Sequence, residues 1–525
     1  ENGNRFSVRV PFNPTLYLPT KNYSEWKTLE GECVEPHNFG SISEAKEFVK
    51  QYKEVPDFEI YGNSRFLYQY IAEKHPEFIK FDSTKIRVFN IDIETAAENG
   101  FPDIESADQE ILAISIKDSF SGRITVFGAR AYDNNDPLVD YMHFRSEESM
   151  LGAFLDFWQE NYPDVITGWN VQLFDMPYIH NRINRIMGEK FTKLLSPWKL
   201  VSQREIFIKG RKQFAIDTLG ISCLDYLELY KKFTYTNQES YRLDHICNVE
   251  LGEKKLDHSE YDTFKEFYEN NWKKFIDYNI HDVRLVDKLD DKMKLIDLAY
   301  TMAYDAKVNY EDVFSQVRMW DNYIYNELLK RKIAIPPKKE ATKSEKYAGA
   351  YVKEPIPGFY DWVVSFDLNS LYPHLIMQYN ISPETLVDKK HPSATVEGLL
   401  DKTVSIGGEY SVCANGAQYT KEKHGFLPEM MQKMYDSRVI FKKKMIKAKQ
   451  QYEKTPTVEL MKEIARCNNI QMAKKISLNS AYGAIGNEHF RYYRLANAEA
   501  ITLSGQVSIR WIENRMNDYL NKLLS

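Results

Sequence analysis

The sequence predicts an α/β multidomain protein, and three observations carry that expectation. The chain has 525 residues, too many for one core, which calls for about three or four domains. Between residues 85 and 294, short runs with strand propensity alternate with amphipathic helical stretches, the pattern of an α/β unit. Between 425 and 487 the periodicity is helical throughout, with one polar break at Glu453–Thr457, the pattern of a helical hairpin.

Composition narrows the class. The hydrophobic fraction of 43% and charged fraction of 27% are those of an ordinary globular protein. Five cysteines are scattered, none in a C-x-x-C pair, so neither a zinc site nor a disulfide framework is indicated, and a reducing compartment fits. There is no long uncharged apolar run and no signal peptide, so no membrane partner is expected. The formal net charge of −6 argues against a passive DNA binder. One local block differs: Met431–Lys475 holds 12 Lys or Arg against 4 Asp or Glu. Such a block is either a solvated helix face or a surface for phosphate.

The first residue is Glu1 rather than Met, so an N-terminal piece is expected to be missing. Residues 1–80 alternate short strands with helices such as Ser43–Glu54 and display no legible chemistry. Lys85–Thr95 alternates as a strand. It places Asp92 and Glu94 two apart, hence on one face. Adjacent carboxylates repel, and a cation is the usual reason for keeping them together. Strands follow at Glu110–Lys117 and Arg123–Gly128, then an amphipathic helix, Glu148–Tyr162, and a short strand, Asp164–Thr167. Gly168–Tyr178 adds Asp175 at the start of a helix. Gln203–Asp217 reads as a β-hairpin turning at Lys209-Gly210. The chain is helical from about Phe264 to Ala306. There Tyr278 and Asp282, four apart, share a helix face.

Ile335-Pro336-Pro337 opens a polar linker that ends near Lys346. After Tyr347-Ala348-Gly349-Ala350 comes the stretch Val363–Pro373. Val363, Val364 and Phe366 read as a buried strand ending on Asp367. The turn behind it offers backbone N–H groups from Ser370, Leu371 and Tyr372, and Pro373 closes it. A carboxylate beside free N–H groups can hold a divalent metal and its phosphates. Taken alone, Asp367 could equally cap a following helix. In the helical hairpin, Arg438 and Lys442 share one face, as do Lys475 and Asn479. Opposed, three cations and an amide would form a triphosphate clamp. Beyond Asn487, Ile509, Ile512, Met516, Tyr519 and Leu520 form a helical apolar stripe.

Val363–Pro373 and Lys474–Asn487 together resemble motifs A and B of the family B (alpha-like) DNA polymerases. The surrounding text resembles the T-even bacteriophage type from end to end. Asp92 with Glu94, Asp175, and Tyr278 with Asp282 resemble the Exo I, II and III motifs of the DEDDy 3′–5′ exonucleases. The resemblance implies a ribonuclease-H-like 3′–5′ exonuclease domain plus a partial family B palm and helical-hairpin fingers. It divides the chain into an N-terminal domain (1–84, with a returning segment at about 295–338), exonuclease (85–294), palm (339–424), fingers (425–487) and a second palm segment (488–525). The fingers are shorter than in the T-even type.

The resemblance also implies roles. Asp92 would bridge two metals, with Glu94 and Asp282 helping hold the nucleophile's ion, Asp175 the second, and Tyr278 orienting water. Asp367 and the carbonyl of Leu368 would hold polymerase metals. Ser370, Leu371, Tyr372, Arg438, Lys442, Lys475 and Asn479 would bind nucleotide, with Tyr372 under the sugar. Tyr347, Gly349, Ala350, Tyr482 and Gly483 would contact DNA. The Gln203–Asp217 hairpin would either help separate the primer strand or be an ordinary exposed hairpin.

Implied cofactors are two Mg²⁺ per active site, with Mn²⁺ able to substitute. Implied partners are primer–template DNA, deoxynucleoside triphosphates and a sliding clamp reached through a missing C-terminal part. The second aspartate motif of the family, Tyr-Gly-Asp-Thr-Asp-Ser (motif C), is not in the sequence, nor is a thumb. The expectation is therefore an N-terminal fragment, or one half of a split enzyme whose second polypeptide supplies both. Its place would be the cytoplasm of an infected bacterial host. The alternatives are a protein that is only a 3′–5′ exonuclease, or a non-catalytic DNA-binding subunit.

Overall fold

The computed structural model describes the chain apart from residues 1–7, 54, 57, 99, 209–210, 235, 339–347, 362 and 525. Its central strand is β1 (Val88–Thr95). Phe89, Ile91 and Ile93 point to one face and are buried there, while Asn90, Asp92 and Glu94 point to the other, as the period of two requires. β1 pairs antiparallel with β2 (Ile111–Asp118), which pairs antiparallel with β3 (Ile124–Gly128), which pairs parallel with β4 (Val139–His143). Helix α1 (Glu147–Asn161) crosses back to β5 (Val165–Thr167), parallel to β1 on its other side. Helix α2 (Asp175–Met187) and the antiparallel hairpin β6 (Val201–Ile208) and β7 (Arg211–Thr218) follow. The short strand β8 (Ser222–Cys223) completes a six-stranded sheet of order β8-β5-β1-β2-β3-β4.

Two cores flank this sheet. On one face, Phe89, Ile91 and Ile93 meet Met150, Phe154 and Trp158 of α1 and Tyr178 and Ile179 of α2. On the other, Leu112, Ala113 and Val126 meet Phe275, Ile276, Ile280 and Val283 of α3 (Trp272–Met293). β1 contributes no apolar side chain to this second core. Under α3 its polar face is tied instead by Asn90, whose Nδ2 donates to the Val283 carbonyl at 2.8 Å and to Asp287 at 2.9 Å. These residues form the bulk of one compact unit, Lys80–Tyr300 with Asn309–Phe314. The α/β expectation holds, and the strands and helices lie within a few residues of their predicted bounds. The hairpin's two strands are present; its Lys209-Gly210 tip lies outside the described residues.

The second unit comprises Arg5–Ile79, Thr301–Val308 and Ser315–Ser525. A three-stranded antiparallel sheet near its start (Thr15–Pro19, Trp26–Lys27, Cys33–Asn38) is joined by residues 332–334, through Lys27 N to the Lys332 carbonyl at 3.0 Å and Ala334 N to the Lys27 carbonyl at 2.9 Å. Helix α4 (Leu295–Ala306) ends in this unit, and α5 (Gln316–Lys330) follows. Then come α6 (Leu371–Tyr379) and the two long helices α7 (Phe426–Lys454) and α8 (Val458–Ile485), packed against each other. Residues 455–457 separate the two. Thr457 caps α8 by accepting from Leu460 N, which fixes the predicted break. Helix α9 (Leu495–Leu524) carries the predicted apolar stripe. Its Ile509, Ile512 and Met516 are half-buried, and Tyr519 and Leu520 are exposed.

The buried strand expected at Val363–Phe366 is not formed. These residues run without regular structure, and Val363, Val364 and Phe366 are 80%, 67% and 67% exposed. The physical reason is the want of a partner: among the described residues no strand pairs with this segment, and a strand without a neighbour leaves its ladder unmade. Nor does Pro373 close a turn. Ser370, at φ 54°, ends the turn and precedes α6, and Pro373 stands in the first turn of that helix.

The approach of the Gly168 turn to β1 gives a stability test. A Cβ on Gly168 would lie 2.4 Å from the Ile91 carbonyl oxygen, which is backbone and cannot swing away. Gly168→Ala should lower unfolding free energy by about 1–3 kcal/mol through overpacking. Denaturant titration of the variant should show an earlier midpoint; an unchanged one would mean that the turn is free to withdraw from the strand.

Candidate active sites

β1 brings Asp92 and Glu94 to its polar face, and α3 lays Asp282 over them. One carboxylate oxygen from each of the three lies within 4.8 Å of the others. Asp175, first residue of α2, turns back to accept from Ile93 N at 3.0 Å, so it is fixed to the peptide between Asp92 and Glu94. Tyr278 stands one turn before Asp282 on α3. The structure therefore brings together all five residues that the sequence nominated for this site.

Asp282 is 2% exposed, and its Oδ1 is buried with no hydrogen-bond partner among the described residues. An orphan acceptor beside two further carboxylates is the donor set that a hard divalent cation takes. Burial first, then Asp282, Glu94 and Asp175, push Asp92 well above the ordinary carboxylate range. Burial and Asp282 push Glu94 up to about 8. Burial pushes Asp175 up to about 7. Glu94 opens on a cleft of about 630 Å³ walled by Phe101, Phe174 and Phe264. Asp92 and Tyr278 open on one of about 1010 Å³ walled by Trp169, Tyr241 and His258.

Three residues of this site escaped sequence reasoning. Lys255 Nζ donates to Tyr278 Oη at 2.9 Å and forms an ion pair with Asp282. Burial alone would lower Lys255, but Asp282, Tyr278 and Asp92 raise it, so it stays charged. Nothing in Gly252-Glu253-Lys254-Lys255 distinguishes it from a surface lysine. Asn279 Nδ2 donates to Asp92 Oδ2 at 2.6 Å, and its own Oδ1 accepts from Ser115. Its spacing of three from Asp282 was a usable signal. Asp225 accepts from the backbone N–H groups of Asn170, Gln172 and Leu227, pinning the loop that presents Asp175.

In the second unit, Asp367 lies exposed on the irregular segment before α6. Arg438 is 8% exposed; its Nη1 reaches Asn369 Oδ1 at 3.4 Å and Ser370 Oγ at 3.3 Å, which places it at the predicted turn. Its Nε is buried without a partner among the described residues. Tyr372 meets Tyr482 with ring centroids 4.8 Å apart. Lys475, Asn479 and Tyr482 follow one face of α8, with Lys475 half-buried and Asn479 exposed. Lys442 is exposed one turn beyond Arg438. Gly349 and Ala350 are exposed, and the Gly349 carbonyl accepts from Gln506 of α9 at 2.8 Å. Tyr347 lies outside the described residues. A Cβ on Gly483 would meet only the far end of the Gln316 side chain on α5.

Comparison with known proteins decides the family. The family model for the exonuclease domain of DNA polymerase family B matches residues 18–246, and that for DNA polymerase family B matches 315–524. The chain belongs to DNA polymerase family B. It is 33% identical to the DNA-directed DNA polymerase of Escherichia phage RB69, over 99% of this chain and 65% of that protein. It is 33% identical to the DNA-directed DNA polymerase of Enterobacteria phage T4, over 100% of the chain and 65% of that protein. The DNA polymerase delta catalytic subunit of Candida albicans is 26% identical over 87% of the chain and 43% of its own length. The chain thus spans 65% of the length of these two phage relatives. The family B exonuclease match stops before Tyr278 and Asp282, and it is the fold that carries them to the cluster.

The raised acids predict a pH-dependent response to cations. Their folded values lie above those of an unfolded carboxyl, so the cation-free site favours the fold at low pH. That contribution is lost as pH rises through about 7 to 8. A bound divalent cation reverses the sign by stabilising the ionised acids. Mg²⁺ should raise the unfolding temperature little near pH 6 and by several degrees near pH 8.5. An equal rise at both, or the same rise in Asp92→Asn, would place the cation elsewhere.

Proposed function

We propose that the chain carries the 3′–5′ proofreading exonuclease and the nucleotide-binding part of a DNA-directed DNA polymerase that acts in phage DNA replication. The convergence of Asp92, Glu94 and Asp282 oxygens within 4.8 Å, with Asp175 bonded to β1, carries the exonuclease reading. The acid set suits divalent cations, in this reading two Mg²⁺ with Mn²⁺ able to substitute. Asp92, Glu94, Asp175 and Asp282 would hold them. Bound there, the ions would supply the charge that activates water and neutralises the scissile phosphate. The chain's own groups do the rest. Tyr278 orients the attacking water toward the 3′-terminal phosphodiester. Lys255 and Asn279 hold Asp282 and Asp92 in place. The aromatic walls of the two clefts offer stacking surfaces for an unpaired primer end.

For synthesis, Arg438 at the Asn369–Ser370 turn supports a triphosphate site, with Lys442, Lys475 and Asn479 as its further groups and the Ser370–Tyr372 N–H groups as phosphate donors. Tyr372 would lie under the sugar, Tyr482 and Gly483 would face the nascent base pair, and Gly349 and Ala350 the template, with Tyr347. Asp367 and the Leu368 carbonyl would hold the polymerase metals. One carboxylate cannot hold two Mg²⁺ in octahedral geometry. Synthesis would therefore need motif C and the thumb from a further part of the chain or from a second polypeptide. The partners are primer–template DNA, deoxynucleoside triphosphates and a sliding clamp, in the cytoplasm of an infected bacterial host. The exposed, unpaired Val363–Phe366 favours one second reading, a protein that is only an exonuclease. The built acid cluster speaks against a non-catalytic subunit.

The 525-residue chain with Mg²⁺ should shorten primers from the 3′ end. Adding all four deoxynucleotides should give no extension, even when Asp92→Ala removes the competing digestion. Undiminished digestion by Asp92→Ala would sink the exonuclease assignment, and template-directed extension by the chain alone would sink the account of the missing carboxylate. In an enzyme completed by motif C, Tyr372→Ala should admit ribonucleotides more readily. The check is the ratio of deoxy- to ribonucleotide incorporation, and no change in it would make Tyr372 a packing residue.

A further inference from the structure

Helix α8 carries two adjacent lysines with different fates. Lys475, Asn479 and Tyr482 form one row. Lys474, Ser477 and Ala481 form the next, about 100° round the helix axis. The second row faces α5 and the last turn of α4. Lys474 Nζ donates to both carboxylate oxygens of Asp305, at 2.6 and 2.8 Å. The two side chains are only 15% and 12% exposed. Tyr323 Oη donates to Asp305 Oδ2 at 2.6 Å and lies 3.2 Å from Ser477 Oγ. Trp320 Nε1 donates to the Ser477 carbonyl at 3.1 Å and reaches Ser480 Oγ at 3.2 Å. One turn of α8 is thus gripped by polar contacts from two other helices.

A buried ion pair is weak evidence for stability, because desolvation offsets much of its Coulomb energy. Its best-attested use is to fix register. Here the register at stake is rotational. Lys474 and Lys475 are chemically identical, and a roll of α8 by one residue would exchange them. Apolar packing tolerates a shift of ridge and groove. A carboxylate that engages both oxygens, bonded in turn by a tyrosine, does not.

We infer that Asp305, with Lys474 and Tyr323, sets the rotation of α8 and so aims Lys475 and Asn479 at the triphosphate. These are positioning residues, and the inference rests on the polymerase reading of α8. The other long helix is tied to α5 as well: Arg331 pairs with Glu327 at 2.7 Å and Glu429 at 2.9 Å, and Lys433 with the same two acids at 3.0 Å. That network is more exposed and salt-screened. The Asp305–Lys474 pair is the shielded one.

The test is the affinity of the 525-residue chain for Mg²⁺–dATP, which needs no extension. Lys475→Ala should weaken binding about tenfold, and Asp305→Asn by a similar factor, through misplacement of Lys475. The charge swap Asp305→Lys with Lys474→Asp should recover most of the loss. The apolar pair Asp305→Leu with Lys474→Met should unfold at the same temperature as the parent and still bind weakly, a split that a purely structural role would not give. If Lys475→Ala weakens binding but the apolar pair binds normally, the positioning role is overturned. If Lys475→Ala itself has no effect, the polymerase reading of α8 fails first and takes the inference with it. Should Asp305→Asn fail to fold, the apolar pair decides alone.

Discussion

Like-charge crowding on one face of β1 is the constraint on which the first unit depends. Two ionised carboxylates whose oxygens lie within 4.8 Å of each other repel by about 3 kcal/mol or more at an effective dielectric of about 20. A flexible chain would relieve that repulsion by moving apart. Here it cannot, because Phe89, Ile91 and Ile93 on the opposite face of the same strand are locked into a core with α1 and α2. Burial of those three side chains contributes roughly 1.5–3 kcal/mol each, enough to hold the strand while its other face bears the strain. The repulsion is met chemically by Lys255 at Asp282 and Asn279 at Asp92, while burial and the neighbouring acids push Asp92 well above the ordinary carboxylate range.

The rest of the unit serves that arrangement. Gly168 lets the loop after β5 touch the backbone of β1, and Asp225 ties the same loop down with three backbone hydrogen bonds. Asp175 therefore arrives at α2's first turn already aimed at Ile93 N. Behind it, Arg182 of α2 pairs with Glu147 in a buried, bidentate contact, and Tyr178 Oη donates to the Gln109 carbonyl at 2.7 Å. A helix held at three levels cannot slide along its axis. The placement of Asp175 is as fixed as that of the strand acids.

Much of this was legible in the sequence for a physical reason. The alternation of Phe89, Ile91 and Ile93 with Asn90, Asp92 and Glu94 encodes both a strand and which of its faces is polar. The pairs Tyr278/Asp282 and Lys475/Asn479 lie at helical spacing, and Thr457 marks a helix start. Lys255 and Asp305 were not legible. Each acts across a long sequence separation, Lys255 on residues 23 and 27 positions away and Asp305 on one 169 away, and neither is marked by its neighbours. Adjacent lysines such as Lys474 and Lys475 look alike until a partner selects one of them.

Val363–Phe366 failed as a strand for the converse reason. Local propensity was right in kind, since a run of apolar residues without alternation is what a strand covered on both faces shows. A covered strand, however, is a statement about its neighbours. The clustered acids come from β1, α2 and α3, whose neighbours lie in their own unit, so propensity and burial agree there. The segment bearing Asp367 finds no paired strand among the described residues and stays open to solvent. Asp367 thus has the residue type for metal binding without the rigid strand that fixes Asp92 and Glu94. A carboxylate that is not held in place loses ordering entropy each time it binds an ion. A paired strand that covered Val363, Val364 and Phe366 would also immobilise Asp367, so any metal binding there would be coupled to folding of this segment.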